Sequence, residues 1–212
     1  MEARDHTLKL IATGLSKNFN RRGIFRDISV TVAIGDSVAI TGKNGSGKST
    51  LIKILAGVLS PTAGSVRYES SGVAMGMGGV HQAMGFVAPY LQLYEEFTGL
   101  ENIGLFAKMR TSRSEPPEKS EALLRRFNLW NRRNDFVRGY SSGMKQRLKY
   151  VVALVNDPRI LLLDEPSANL DDEGIDAVKT VVAEQKDQSI LVVATNDDRE
   201  AAWCSKRIHV GT

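Results

Sequence analysis

The stretch GKNGSGKST at residues 42–50 constrains the fold more than any other part of the chain. It fits the pattern GxxxxGK[ST], which requires a strand before it and a helix after it. Both flanks comply. SVAIT at residues 37–41 is an apolar run suited to a buried strand, and Leu51, Ile54, Leu55 and Val58 recur at helical spacing. Gly42, Gly45 and Gly47 let the backbone curl so that successive N–H groups point inward at phosphate oxygens, and Lys43, Asn44 and Ser46 complete the loop. The helix beginning near Lys48 adds the positive end of its dipole. Lys48 is expected to reach the β- and γ-phosphates of a nucleotide and Ser49 to ligate Mg²⁺, with Thr50 closing the motif.

The rest of the chain supplies a fold for such a loop. Ile28, Val30, Val32 and Ile34 alternate, as in an antiparallel strand with one wet face. RILLLDEP and SILVVATN are apolar runs with polar ends, separated by the helix-like EGIDAVKTVVAEQ; that βαβ order predicts a parallel sheet. Between the phosphate-loop half and this βαβ half lies a basic, helical stretch that follows SRSEPPE and runs through Leu123, Leu124 and Phe127 to Val155. The expected fold class is therefore α/β: a parallel-sheet core with an N-terminal antiparallel β region and an inserted α-helical lobe. With 212 residues and 42% hydrophobic content, one domain is expected, with residues 1–89 and 156–212 as catalytic core and 90–155 as helical lobe. The start MEARDHTLKL is too charged for a secretory signal, and the apolar runs fall short of a membrane span. A cytoplasmic location is expected, and Cys204, the single cysteine, agrees with a reducing compartment as a small core side chain.

A carboxylate at the C-terminal end of an inner strand lies beside the phosphate loop in such sheets. Asp164 is expected to hold Mg²⁺ or its water, and Glu165 to accept a proton from an attacking water. Alone, the pair would read as a solvated strand end or a helix cap. Next to the loop at Gly42, the catalytic reading is favoured.

YSSGMKQRL at residues 140–148, just ahead of ILLLDEP and SANLD, resembles the ATP-binding cassette (ABC) ATPase family over essentially the whole chain. In that family the signature stretch presents a serine, backbone amides and a helix N-terminus to the γ-phosphate of ATP held by the phosphate loop of a second subunit. The resemblance places Ser141, Ser142 and Gly143 in that role, with serine for the usual first glycine and Met144 for a glutamine. Ser141 or Ser142 would also simply cap a helix whose buried stripe is Met144, Leu148, Val151, Val152 and Val155, and both readings can hold together. By the same resemblance Phe19 stacks on adenine, its alternative being an ordinary core position, and Asp171 links the two active sites across the dimer.

Two positions depart from the family. Pro89 falls where the family has its lid glutamine, and proline can neither ligate Mg²⁺ nor donate a backbone hydrogen bond. Gln92 is the substitute for catalysis and metal, Gln82 an outside candidate, and either fits a solvated loop amide. The switch histidine falls on Asn196, whose amide can donate a hydrogen bond but cannot carry the imidazolium charge. His81, in MGMGGVHQAMG, has no second ligand at metal spacing and reads as a hairpin loop. The net charge of +4 does not demand nucleic acid, and the basic residues Arg125, Arg126, Arg132, Arg133, Arg138, Lys145, Arg147 and Lys149 read as a solvated face, near anionic lipid or not. The resemblance implies a RecA-like P-loop NTPase core and an ATPase that pairs with a second ATPase subunit and drives integral-membrane permease subunits from the inner face of the cell membrane. No nucleic-acid partner is expected. The alternatives are a soluble ABC ATPase acting on ribosomes or DNA, and an ATP-binding switch of low turnover, which Asn196 keeps open.

Overall fold

A computed structural model describes residues 7–20, 22–110 and 117–211. In chain order the elements are β1 (Lys9–Phe19), β2 (Arg22–Ala33), β3 (Ser37–Thr41), α1 (Lys48–Leu55), β4 (Ala63–Ser70), β5 (Val73–Ala74), α2 (Met77–Gln82) and β6 (Met84–Val87). There follow α3 (Gly99–Arg110), α4 (Pro117–Arg126), α5 (Ser142–Leu154), β7 (Ile160–Asp164), α6 (Asp172–Gln185), β8 (Ile190–Thr195), α7 (Asp198–Ala201) and β9 (Lys206–His209).

The strands form two sheets. One is antiparallel, in the order β2-β1-β4-β5, and the other is wholly parallel, in the order β6-β7-β8-β3-β9. The apolar runs of the sequence explain the second sheet. Ile160 and Leu162 of β7 belong to one hydrophobic core with α1, while Leu161 and Leu163 belong to another with α5 and α6. A strand covered on both faces has no polar side to alternate with, so it reads as a continuous apolar run. β2 is different: it lies at the edge of the antiparallel sheet, and its period-two pattern places Val32 in the core with Ile28 and Val30 partly covered. This is a RecA-like core with an antiparallel β sheet and a helical subdomain, α3 to α5.

Several local expectations need correction. Val58 lies beyond α1 and is 69% exposed, because the helix ends at Leu55 and Gly57 takes a left-handed φ of +71°. MGMGGVHQAMG is not a hairpin loop: it contains α2, whose Val80 is fully buried and whose His81 Nε2 lies 3.0 Å from the Ala56 carbonyl. The basic stretch is interrupted by two short 3₁₀ turns, Trp130–Arg132 and Val137–Gly139. It is a solvated face, as expected, but one whose charges are paired. Arg125 pairs with Glu121, Arg126 with Glu184, Arg132 with Asp135, Arg138 with Glu96 and Lys145 with Glu95. SRSEPPE lies largely outside the described residues, which resume at Pro117 at the first position of α4, where a missing N–H costs a helix nothing. Among the described residues no helix is long and apolar enough to cross a membrane.

Candidate nucleotide site

The C-terminal ends of β3, β7 and β8 lie side by side, since Thr41 pairs with Thr195 and Asp164 with Ala194. The loop 42–47 leaves β3 at that edge and enters α1 through Gly47, which has φ +108° and offers no side-chain cap. A Cβ on Gly47 would come within 2.4 Å of Ile24. The first N–H groups of α1 thus rest in a backbone cradle without a capping side chain, the arrangement that suits a phosphate. Lys48 is 4% exposed and donates to the carbonyls of Gly42 at 2.9 Å and Lys43 at 3.1 Å, so its ammonium both ties the loop together and stands at the cradle.

Asp164 closes β7 and is 1% exposed, and neither of its carboxylate oxygens has a hydrogen-bond partner. Burial pushes its pKa up and the charge of Glu165 adds to that, while the Ser49 and Tyr90 hydroxyls and Lys53 oppose it. Those two hydroxyls face the carboxylate without completing a hydrogen bond. A buried carboxylate in need of partners beside a serine hydroxyl fits Mg²⁺, whose remaining ligands would be phosphate oxygens and water. Among the described residues no group of three or more His, Cys, Asp or Glu could hold a metal ion alone.

Glu165 follows with a left-handed φ of +48°, unusual for a residue with a Cβ, and its N–H donates to Ala194 at 2.8 Å. It lines a cleft of about 230 Å³ together with Ile24, Asn44, Gly47, Lys48 and Ser49. Strained backbone of this kind costs about 1–3 kcal/mol and is commonest at working sites. Asn196, just beyond β8, donates from Nδ2 to Asn44 Oδ1 at 3.1 Å, and the two share a cleft of about 570 Å³ with Gly42, Lys43, Arg207 and His209. Phe19 is 46% exposed at the end of β1, so it is no core residue. Its ladder partner Arg22 lines a further cleft with Lys43, Asn44, Gly45 and Ser46.

Ser141 is the N-cap of α5, accepting from the Met144 N–H at 3.2 Å, and it is exposed together with Ser142. A Cβ on Gly143 would lie 3.0 Å from the Asn169 carbonyl, so the SANLD segment packs directly over the signature stretch. Asp171 caps α6 through the Gly174 N–H at 3.0 Å and pairs with the nearly buried Arg147 of α5, which holds its carboxyl below the usual range. Gln92 lies exposed on the loop after β6, and it is Tyr90 that faces Asp164. Gln82 precedes β6, at the opposite edge of the sheet from Asp164, and drops out.

Sequence reasoning missed one brace. Glu200 of α7, 5% exposed, accepts from the Ser167 N–H at 3.1 Å and from the hydroxyls of Ser167 and Thr195. It joins the segment after Glu165 to the strand end that carries Asn196. No sequence signal marked it, since an acid in a short polar helix looks solvated. Glu200→Ala should lower the unfolding free energy in urea by about 1–3 kcal/mol, the cost of stranding buried donors. A loss below about 0.5 kcal/mol, the ordinary scatter of surface substitutions, would show that Glu200 is no brace.

Fold and site define a P-loop nucleotide-binding ATPase with a signature helix. The ABC transporter family model matches residues 25–168. The arginine transport ATP-binding protein ArtM of Bacillus subtilis is 33% identical over 190 residues, covering 86% of this chain and 79% of the relative. The lipoprotein-releasing system ATP-binding protein LolD of Porphyromonas gingivalis is 32% identical over 209 residues, 94% of each. Among solved structures, an ATP-binding subunit of an ABC transporter superposes with TM-score 0.83 at 28% identity, covering 95% of this chain and 85% of the other. A dimeric bacterial ABC transporter cassette shares the fold, with TM-score 0.84 at 23% identity over 95% and 94% of the two chains. The chain belongs to the ABC transporter family, as an ATP-binding and ATP-hydrolysing subunit of the kind that works in pairs to drive membrane permeases.

Proposed function

We propose that two copies of this chain, or this chain and a close relative, pair head to tail around two ATP molecules, and that a permease on separate polypeptides at the inner face of the cell membrane takes up the closing movement. The observation that carries this reading is the convergence, at one sheet edge, of the glycine cradle, buried Lys48, Ser49 and an unpartnered Asp164. Lys48 and the α1 amides bind the phosphates, and Phe19 stacks on the adenine. Ser49 and Asp164 would hold Mg²⁺, which when bound neutralises charge on the β- and γ-phosphate oxygens. Glu165 takes the proton of the attacking water at its carboxylate. From the other subunit, Ser141, Ser142 and Gly143 at the start of α5 face the γ-phosphate, and Asp171 couples that helix to the neighbouring site through Arg147. Relatives named for arginine transport and for lipoprotein release are about equally similar to the chain, so its sequence follows the shared ATP chemistry and not a cargo.

Turnover is slow in this reading, because the switch position carries a neutral amide. Asn196 reaches the phosphate loop through Asn44 at 3.1 Å, so it is placed to donate one hydrogen bond but not to bring a charge. Asn196→His should raise the ATPase rate roughly tenfold, a charge-assisted hydrogen bond being about twice as strong as a neutral one. Its rate should acquire a pH dependence near about 6.5, the imidazole pKa. Asn196→Ala should be slower than wild type. Steady-state ATPase assays from pH 5.5 to 8.5 decide the matter: three proteins with one rate and one pH profile would remove Asn196 from the switch role.

A further inference from the structure

Pro89 stands where the family resemblance expects a lid glutamine, yet the segment after β6 still brings a polar group to the buried carboxylate. β6 runs parallel to β7 with Val87 beside Leu163, so the chain beyond Val87 emerges at the edge where Asp164 ends its strand. Lys149 of α5 donates to the carbonyls of Ala88 at 3.2 Å and Pro89 at 2.8 Å, and the pyrrolidine ring fixes φ at Pro89. The backbone entering Tyr90 is therefore held on both counts. The Tyr90 ring meets Phe86 edge-on, with centroids 6.3 Å apart, and carries Lys53 Nζ over its face at 3.9 Å. Lys53 lies on α1 one turn beyond Ser49, so the ring spans from the phosphate-loop helix to the end of β7. Its hydroxyl faces Asp164 and, as a phenol, has an O–H to donate.

We propose that Tyr90 is the positioning residue for the metal-binding carboxylate: when the site is loaded, its hydroxyl closes onto one oxygen of Asp164 as donor and leaves the other turned toward Ser49, a contact that Pro89 has no side-chain group to make. The lysine over the ring and the phenylalanine at its edge set the direction of the hydroxyl. Outer-shell donors of this kind typically change metal affinity by about 10–100-fold. The inference rests on the reading of Asp164 as the Mg²⁺ carboxylate, and the test separates the two.

The probe is Mn²⁺, followed by its electron paramagnetic resonance signal, in the presence of a non-hydrolysable ATP analogue. Tyr90→Phe keeps the ring on Lys53 and Phe86 and removes only the hydroxyl. It should bind Mn²⁺ about tenfold more weakly than wild type, while its affinity for the fluorescent analogue in EDTA stays within twofold. Mn²⁺ affinity within twofold of wild type, tighter Mn²⁺ binding, or an equal loss of metal-free nucleotide affinity would each overturn the role of Tyr90. Asp164→Asn is the control. If it binds Mn²⁺ like wild type, the metal reading of the site fails; if it alone loses Mn²⁺ and Tyr90→Phe does not, only the inference about Tyr90 fails.

Discussion

Glu165→Gln should run as a dimer on size exclusion in ATP and Mg²⁺, and adding Ser141→Arg should return it to monomer. The first change removes the carboxylate that takes a proton from water, a contribution of about 10²–10⁴ in rate, and leaves the cradle, Lys48 and Asp164 in place. Its backbone N–H keeps its bond to Ala194, so the left-handed turn at this position survives with glutamine. ATP then outlasts the experiment and the closed pair accumulates. The second change acts on the other half of the shared site. Ser141 is exposed at the start of α5, and an arginine there puts a bulky cation against the positive end of the helix and against the cavity meant for phosphate. It also gives up the cap on Met144, worth about 1 kcal/mol, which the buried Leu148, Tyr150 and Val151 of α5 can absorb. Thermal melting of the double variant checks that it is folded. A folded double variant that remains a dimer would show that the signature stretch is not at the interface.

The parts of this site that were legible in the sequence are those whose geometry is written in consecutive residues. A phosphate loop needs glycine at fixed spacing because the backbone itself does the binding, and an inner strand ending in acid announces both its burial and its working end. The parts that were not legible depend on neighbours distant in sequence. Tyr90 means nothing until β6 is laid beside β7 and α1 supplies Lys53. Glu200 looked like one more surface acid until Ser167 and Thr195 were found to converge on it. The basic run around residues 125–149 is solvated, but its pairing was hidden because its carboxylate partners, among them Glu95, Glu96 and Glu184, lie outside it. α2 was hidden for another reason: two glycines among its six residues argue against a helix by propensity, and packing of Val80 into the core overrides them.

Within the phosphate loop itself, the structure separates two glycines that share a positive φ, Gly42, which the motif fixes, and Gly45, which it leaves open. Gly42 has φ +149°, and a Cβ there would lie 2.1 Å from the carbonyl oxygen of Val210 and 2.6 Å from Ser46 Oγ. The serine hydroxyl can swing aside. Val210 cannot, because its N–H bonds the Thr41 carbonyl at 2.8 Å and its side chain is 1% exposed in the core. Gly42→Ala must therefore pull the end of β9 from β3 or lift the loop from its seat, and either movement misdirects the N–H groups meant for phosphate. Gly45 has φ +78° but nothing within 4 Å of its would-be Cβ, so alanine there costs only the left-handed backbone. The expected losses of stability in urea are about 2–4 kcal/mol for Gly42→Ala, from overpacking and strain together, against about 1–2 kcal/mol for Gly45→Ala. Affinity for a fluorescent ATP analogue should fall by about 100-fold or more in Gly42→Ala, which corresponds to about 2.7 kcal/mol. If both variants lose the same stability, backbone strain alone would account for the glycines, and the packing of Gly42 against Val210 would not be what seats the loop.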